Sequence, residues 1–251
     1  MSSLPSLFMG GRSPLPGQAT GPARRTGIRS REDYRRYLEA DRRALEQTRR
    51  RPRIFGDGVW RFQRLLRAIE YHEACRPETW YYRPLRTLLY LRLHLASVRL
   101  GFTIPPHVFG PGLSIAHRGT IVVNSCARVG ANCRLHACTN IGSWSGAALE
   151  APIVGDNVYI GPGAVLYGPI IIADQIAIGA NSVVNASFTE PNITIAGAPA
   201  RKVRDTGTTR FVQSAQAVQT HGAVPDGLSP TASAGGAAGS PPACAEAGGL
   251  R

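Results

Sequence analysis

An aliphatic residue recurs at every sixth position through much of the second half of the chain. A period of six fits neither an amphipathic helix nor an alternating strand, but it is typical of a parallel β-helix with a narrow core. Small residues four positions after these anchors favour close approach of neighbouring corners. The anchors are Val123, Val129, Leu135, Ile141, Val154, Ile160, Leu166, Ile172, Ile178 and Val184, and the residues four positions on include Ala127, Cys133, Thr139, Val158, Ala164 and Ser182.

Two irregular spacings interrupt this repeat. The step from Ile115 to Val123 is eight residues instead of six, which predicts a bulge around His117. The step from Ile141 to Val154 is thirteen residues, which predicts an excursion about one residue longer than two turns. Because irregular loops on a repetitive scaffold often carry binding residues, both places are candidates for a functional site.

Three helices are predicted before the repeat. The first spans Arg31 to Arg50, with Ser30 as its N-cap. The second spans Val59 to about Cys75 and has an apolar stripe that includes Trp60. The third spans Arg83 to Leu100, with proline in the first turn and glycine after the last.

These elements predict four regions in one chain. We expect a disordered N-terminus (1–28), a basic α-helical region (29–101), a β-helix domain (102–205) and a disordered tail (206–251) rich in Gly, Ala, Pro and Ser. The terminal segments lack the apolar periodicity that would offset the entropy of ordering them. The predicted fold class is therefore mainly β, with a short helical region and disordered tails.

Charge is concentrated in the helical region. The chain carries a net charge of +13, and its basic run from Arg42 to Arg53 has no interleaved aromatic platform and no nucleic-acid motif. We therefore expect no nucleic-acid partner; the run is a solvated helix face or attracts an acidic ligand or surface. The third helix is basic and amphipathic, which favours packing against another element or subunit and leaves peripheral membrane contact as the alternative.

Composition narrows the compartment and the chemistry. Neither a secretory leader nor a stretch of about 20 apolar residues is evident, so a cytoplasmic protein is expected. Five cysteines, an odd number without paired metal-ligand spacing, indicate structural thiols and no metal site.

Two histidines are candidates for catalysis. His117 lies at the predicted bulge, and His136 interrupts a coil of apolar and small residues. A neutral imidazole can take a proton from a hydroxyl group near physiological pH. A structural histidine is the alternative interpretation of either residue.

The segment LSIAHRGTIVVNSCARVGANCRLHACTNIG resembles the catalytic stretch of serine acetyltransferases, which are hexapeptide-repeat acyltransferases. The later segments VGDNVYIGPGAVLYG, IAIGANSVV and IAGAPARKV are similar to the repeats and the C-terminal turn of that family. The resemblance covers about residues 80–205. It implies a left-handed β-helix, a homotrimer or a hexamer, acetyl-CoA as donor, and active sites in the grooves between subunits.

The resemblance also implies roles for particular residues. His117 matches the catalytic base, and His136 is a second candidate in the catalytic set. The cofactor-binding positions that it implies comprise two glycines facing the pantetheine arm and a C-terminal turn whose cations suit the phosphates of CoA: Gly161, Gly179, Ala198, Arg201 and Lys202.

The function that this resemblance implies is acetyl-CoA-dependent O-acetylation of L-serine, a step of cysteine biosynthesis, by direct transfer. One alternative is an O-acetyltransferase acting on a sugar of a capsular or exopolysaccharide precursor. The other is a catalytically silent β-helix that serves as a scaffold.

Overall fold

A computed structural model describes residues 27–76, 80–144 and 150–208 of the chain. All of these residues belong to one compact unit, Met1–Gln213. The two segments predicted to be disordered lie almost entirely outside the described residues. Most of the predicted excursion, residues 145–149, also lies outside them.

The part of the chain that is described before the repeat contains three α-helices: α1 (Arg31–Ala44), α2 (Gly58–Cys75) and α3 (Arg83–Leu100). A 3₁₀ turn, Trp80–Tyr82, leads into α3. The predicted caps are present, because Ser30 Oγ accepts a hydrogen bond from Asp33 N at 3.0 Å and Gly101 ends α3 with a φ of 77°. Within the described residues, no helix is long and apolar enough to cross a membrane.

The predicted end of the first helix was wrong. We expected α1 to continue to Arg50, but it stops at Ala44. Glu46 adopts a φ of 55°, and its amide turns back to the carbonyl of Arg43. A residue in this left-handed conformation cannot continue a right-handed helix. All but the first three residues of the basic run consequently lie beyond the helix, in a loop.

Fourteen short strands follow within residues 102–144 and 150–208, and most of them contain two or three residues. They are β1 (Phe102–Thr103), β2 (Ser114–Ile115), β3 (Ile121–Val123), β4 (Arg128–Val129), β5 (Arg134–Leu135), β6 (Thr139–Gly142), β7 (Ile153–Val154), β8 (Tyr159–Ile160), β9 (Val165–Tyr167), β10 (Ile171–Ile172), β11 (Ala177–Ile178), β12 (Val183–Val184), β13 (Thr194–Gly197) and β14 (Ala200–Arg204).

The described strands stack into three sheets, one on each side of a left-handed β-helix, and all of their pairs are parallel except that of β13 with β14. Sheet A has the order β1-β3-β6-β9-β12, sheet B has β10-β7-β4, and sheet C has β14-β13-β11-β8-β5-β2. Successive coils pair in register, as in the pairing of Leu135 with Ile160 and of Ile160 with Ile178. The predicted β-helix is confirmed.

The core of the β-helix consists of the residues that the repeat identified. All ten anchors are buried, and so are the six residues four positions after an anchor. This core is continuous with apolar residues of the helices, including Phe62, Leu66 and Ile69. Burial of these aligned side chains, at roughly 25 cal/mol per Å² of apolar surface, is the main force that holds the coils together.

The first irregular spacing was predicted correctly and the second was not. Ile115 pairs with Leu135, a coil of 20 residues, whereas Ile160 and Ile178 are 18 residues apart, so the loop containing His117 holds two extra residues. Val129 and Val154 occupy equivalent positions 25 residues apart. The step of thirteen residues is therefore one six-residue side of the β-helix lengthened by seven residues. The prediction of two six-residue steps plus one residue was wrong.

A buried ionic cluster joins the helices to the first coil. The Arg67 guanidinium, fully buried on α2, donates to Asp41 of α1 at 2.9 Å and to Glu70 at 3.0 Å. It also donates to the carbonyls of Phe109 and Gly110. Burial alone would lower the pKa of Arg67, but the two carboxylates outweigh that effect and raise it. The Arg67 guanidinium therefore stays charged, and its hydrogen bonds fix the position of α2 on the β-helix.

The chain leaves the β-helix through a hairpin. Strand β14 returns antiparallel to β13, with Ala196 opposite Arg201 and Ile195 opposite Lys202. The turn contains a cis peptide bond between Ala198 and Pro199. This hairpin adds an antiparallel strand that the hexapeptide pattern did not predict.

Candidate active site

His117 lies in the loop between β2 and β3 that holds the two extra residues. Both sides of its turn are fixed, since the Ala116 amide donates to the Leu135 carbonyl at 2.9 Å and the Gly119 amide donates to the Leu100 carbonyl at 3.1 Å. The His117 side chain is exposed. The fold therefore presents this imidazole to solvent from an anchored loop, which is the placement a general base requires.

His136 lies beside His117, one coil further along the β-helix. The two ring centroids are 5.9 Å apart. His136 follows the inward-facing Leu135, and its amide donates to the Ile160 carbonyl at 3.2 Å. On its other side, the ring of Tyr159 is 5.0 Å away. The structure thus brings the two predicted histidines together and adds a tyrosine that sequence reasoning missed.

Burial, the charge of Arg134 and the nearby His117 lower the pKa of His136 below its ordinary value. Its Nε2 is buried and has no hydrogen-bond partner among the described residues. His136 is therefore neutral near pH 7. If His117 takes a proton from a substrate, the pair carries a single positive charge, because His136 is neutral. A charged His136 would repel the protonated His117, so the neutral neighbour makes protonation of His117 more favourable.

The two predicted pantetheine-contacting glycines lie on the same corner as His136. The Gly161 amide donates to the Ile178 carbonyl, and the Gly179 amide donates to the Ile195 carbonyl. A Cβ on Gly161 would come within 2.8 Å of Ala180 N, and one on Gly179 within 2.9 Å of Ala196 Cβ. The need for glycine at these positions is therefore explained by the close stacking of the coils, whatever else binds there.

The predicted C-terminal residues lie on the β13–β14 hairpin, next to the Gly179 coil. Ala198 is in its turn, and Arg201 is exposed, with Nη1 donating to the Ala200 carbonyl. Lys202 Nζ lies 2.6 Å from carboxylate oxygens of both Glu190 and Asp205, and these contacts raise its pKa. Arg201 is consequently the better placed of the two cations to meet a phosphate.

The metal-ligating side chains and the cysteines of the described residues were the other candidates for chemistry. No group of three or more His, Cys, Asp or Glu side chains there is placed to hold a metal ion. Burial raises the pKa of the Cys133 thiol to about 12, so this residue is a core side chain. Cys138 is exposed and Cys126 is half-buried.

Residues 151–186 match the family model described as bacterial transferase hexapeptide (six repeats). The chain is similar to serine acetyltransferases in sequence and in fold.

The serine acetyltransferase of Mycobacterium tuberculosis is 35% identical to the chain over 100 residues, which are 39% of this chain and 43% of that protein. The chain therefore aligns with less than half the length of this relative. The crystal structure of serine acetyltransferase from Brucella abortus superposes with a TM-score of 0.57 at 26% identity, covering 71% of this chain and 72% of that one. A structure of serine acetyltransferase from the same strain in complex with coenzyme A has a TM-score of 0.55 at 24% identity, covering 70% of each chain, and shows the shared fold.

Proposed function

We propose that this protein is an acetyl-CoA-dependent O-acetyltransferase that transfers an acetyl group to the hydroxyl of L-serine. The observation that carries the proposal is the exposed His117 on an anchored loop, beside a neutral His136, on the corner that also holds Gly161 and Gly179. The similarity to proteins named serine acetyltransferase supplies the donor and the acceptor.

The reaction that we propose is a direct transfer with His117 as general base. Its imidazole takes the proton from the acceptor hydroxyl while that oxygen attacks the thioester carbonyl carbon of acetyl-CoA. The carbon–sulfur bond then breaks, and the CoA thiolate takes the proton from the imidazolium. Atoms and charges balance without a covalent enzyme intermediate. Backbone amides near the groove would stabilise the oxyanion.

The experiment is acetyl-CoA-dependent thiol release with L-serine as the acceptor, in wild type and in His117→Ala. General-base catalysis contributes about 10²- to 10⁴-fold, so kcat should fall by that factor. His107→Ala is the matched control, because His107 is a half-exposed histidine that pairs with Glu73, outside this corner. Retained turnover in a folded His117→Ala protein would contradict the assignment of the base.

We also propose that the protein is a homotrimer in the cytoplasm. Ile153 and Ile171 are paired on β7 and β10, and these residues are 54% and 45% exposed. Neighbouring exposed isoleucines on a flat sheet favour association with another apolar surface. Light scattering should give three chain masses; a monomer would contradict this proposal.

A sugar acceptor is the second candidate, and α3 favours it. This helix exposes Leu88, Leu91, Leu95 and Val98, carries four arginines and contains no acidic residue. A basic, partly apolar helix suits an anionic membrane surface, where glycan precursors are assembled. Acetyl transfer to a sugar, absence of transfer to L-serine, and co-sedimentation with anionic vesicles would together favour this candidate over the first.

A further inference from the structure

The α1–α2 loop, residues 45–57, presents two large apolar side chains to solvent. Ile54 is 76% exposed and Phe55 is 87% exposed, the highest values among the large hydrophobic residues that the structure describes. Apolar residues scattered singly are normal on a protein surface, whereas neighbouring ones form a patch of the kind that marks a contact with another surface. These two residues are consecutive and form the tip of the loop.

Asp57 closes this loop at its base. Its carboxylate accepts a hydrogen bond from the Arg53 amide at 2.8 Å and pairs with Arg49 at 3.1 Å. Gly56, with a φ of 104°, turns the chain directly after the tip, and its carbonyl accepts from the Gly58 amide at 3.0 Å. Glycine adopts a positive φ of this size far more readily than other residues do. The two apolar side chains are therefore held at the tip of a defined turn.

Positive charge surrounds this tip. The segment that carries it has three exposed arginines, namely Arg50, Arg51 and Arg53. Asp57 is the only acidic residue from position 49 to position 57, and its carboxylate is engaged at the base of the loop. The tip therefore combines two apolar side chains with three cations that no carboxylate of the same segment neutralises.

The end of α3 next to this loop has the same character. A Cβ on Gly58 would lie 3.4 Å from Leu100 Cδ2, so the base of the loop packs against the last turn of α3. In that turn Val98 is 69% exposed, and Arg99 is exposed as well. The surface beside the loop is therefore also apolar and basic.

The charges distinguish between the possible occupants of this surface. Residues 1–26 contain no Asp or Glu, and residues 209–251 contain two acidic residues and two arginines, so neither terminal segment is an acidic counterpart. A second copy that met this surface about a two-fold axis would place arginines against arginines. An anionic lipid bilayer supplies both a negative surface and an apolar layer beneath it.

We propose that the α1–α2 loop docks on an anionic lipid bilayer, with Ile54 and Phe55 inserted below the headgroups and the exposed arginines of the loop against the lipid phosphates. This docking does not depend on which acceptor is acetylated. Gly56 of the loop and Ala116, which directly precedes His117, line one cleft of about 240 Å³. A docked protein therefore holds its histidine pair near the bilayer surface.

Vesicle flotation tests this docking. Full-length wild type should bind vesicles of phosphatidylcholine and phosphatidylglycerol in equal parts and should not bind vesicles of phosphatidylcholine alone, and added salt should weaken the binding because it screens charge. Phe55→Ser should lower the partition coefficient about 10- to 100-fold, the factor expected from burying a phenylalanine side chain. Arg51→Gln should lower it about fivefold, the contribution of one arginine near an anionic surface.

Matched controls come from exposed residues outside the loop. Val203 on β14 is 54% exposed, so Val203→Ser is compared with Ile54→Ser. Arg128 on β4 is exposed, so Arg128→Gln is compared with Arg51→Gln. Both controls should bind anionic vesicles as wild type does, whereas both loop variants should bind more weakly.

Absence of binding to the anionic vesicles, equal binding to both kinds of vesicle, or loop variants that bind as wild type does would overturn the proposal. Light scattering on Phe55→Ser tests the other occupant. A particle mass below that of wild type, together with unchanged vesicle binding, would show that the tip is a contact between copies of the chain and not with lipid. Because flotation needs no acetyl-CoA, its outcome is independent of the acetyl-transfer assay.

Discussion

Replacing Arg67 by Met should be among the most destabilising single changes in the helical region. The guanidinium makes five hydrogen bonds, to Asp41 twice, to Glu70 once and to the carbonyls of Phe109 and Gly110. Methionine has similar helix propensity and fills much of the same volume, but it satisfies none of these acceptors. The substitution leaves two carboxylates, both about 2% exposed, without their cation.

Removing one partner from a buried ion pair costs about 3–5 kcal/mol. For a chain of 150–250 residues, each kcal/mol corresponds to roughly 2–4 °C, so Tm should fall by about 6–20 °C. Urea unfolding followed by circular dichroism measures the free energy directly. Protein concentration must be fixed, because the apparent stability of an oligomer depends on it. Arg67→Lys should give an intermediate loss, since an ammonium keeps the charge but not the planar fork of donors.

Arg61→Met is the control on the same helix, because Arg61 is exposed and surface substitutions usually change stability by less than about 0.5 kcal/mol. A loss below about 1 kcal/mol for Arg67→Met, or one no larger than that of Arg61→Met, would refute this account of the cluster.

Two further predictions concern titratable side chains. Because the pKa of folded His136 is lowered, the unfolded chain binds a proton more readily as pH falls through about 6.5, and the folded state loses stability there. Between pH 7 and pH 5, the free energy of unfolding from urea titrations should therefore fall less in His136→Gln than in wild type. A difference in this free energy between the two proteins that does not change with pH would contradict the prediction. When native protein is treated with iodoacetamide, Cys138 should be alkylated and Cys133 should not, because burial raises the pKa of the Cys133 thiol to about 12. The masses of the digested peptides measure the modification. Modification of Cys133 at a rate similar to that of Cys138 would contradict this prediction and show that the coil opens readily.

The β-helix could be predicted because its rule is local and repetitive. Each anchor, such as Leu135 or Ile160, is aliphatic and recurs with the period of the coil, so the buried set can be read directly from the chain. The limits of α2 and α3 were also accessible, since proline and glycine mark them. The sequence identified His117 and His136 as separate candidates, and the structure shows that their rings are neighbours and that Tyr159 extends the row.

The features that escaped prediction depend on contacts between distant segments. Arg67 belongs to a basic region and resembles an exposed residue, yet it binds Asp41, 26 positions earlier, and the carbonyl of Phe109, 42 positions later. Trp60 was correctly assigned to an apolar stripe, but the pattern gave no sign that its indole nitrogen has no hydrogen-bond partner among the described residues. The early end of α1 depends on the backbone conformation of Glu46, which no local signal indicated.

Strand β14 has a consequence for how the molecule avoids polymerising. A stack of parallel coils has open strand edges at its two ends, and such edges can pair with other chains. At one end, β14 covers β13 in the opposite direction and carries the charged side chains of Arg201, Lys202 and Arg204. Charges on an edge strand disfavour further strand addition. These residues therefore protect solubility whether or not any of them meets a phosphate, and neutral replacements could promote fibre growth without altering the core.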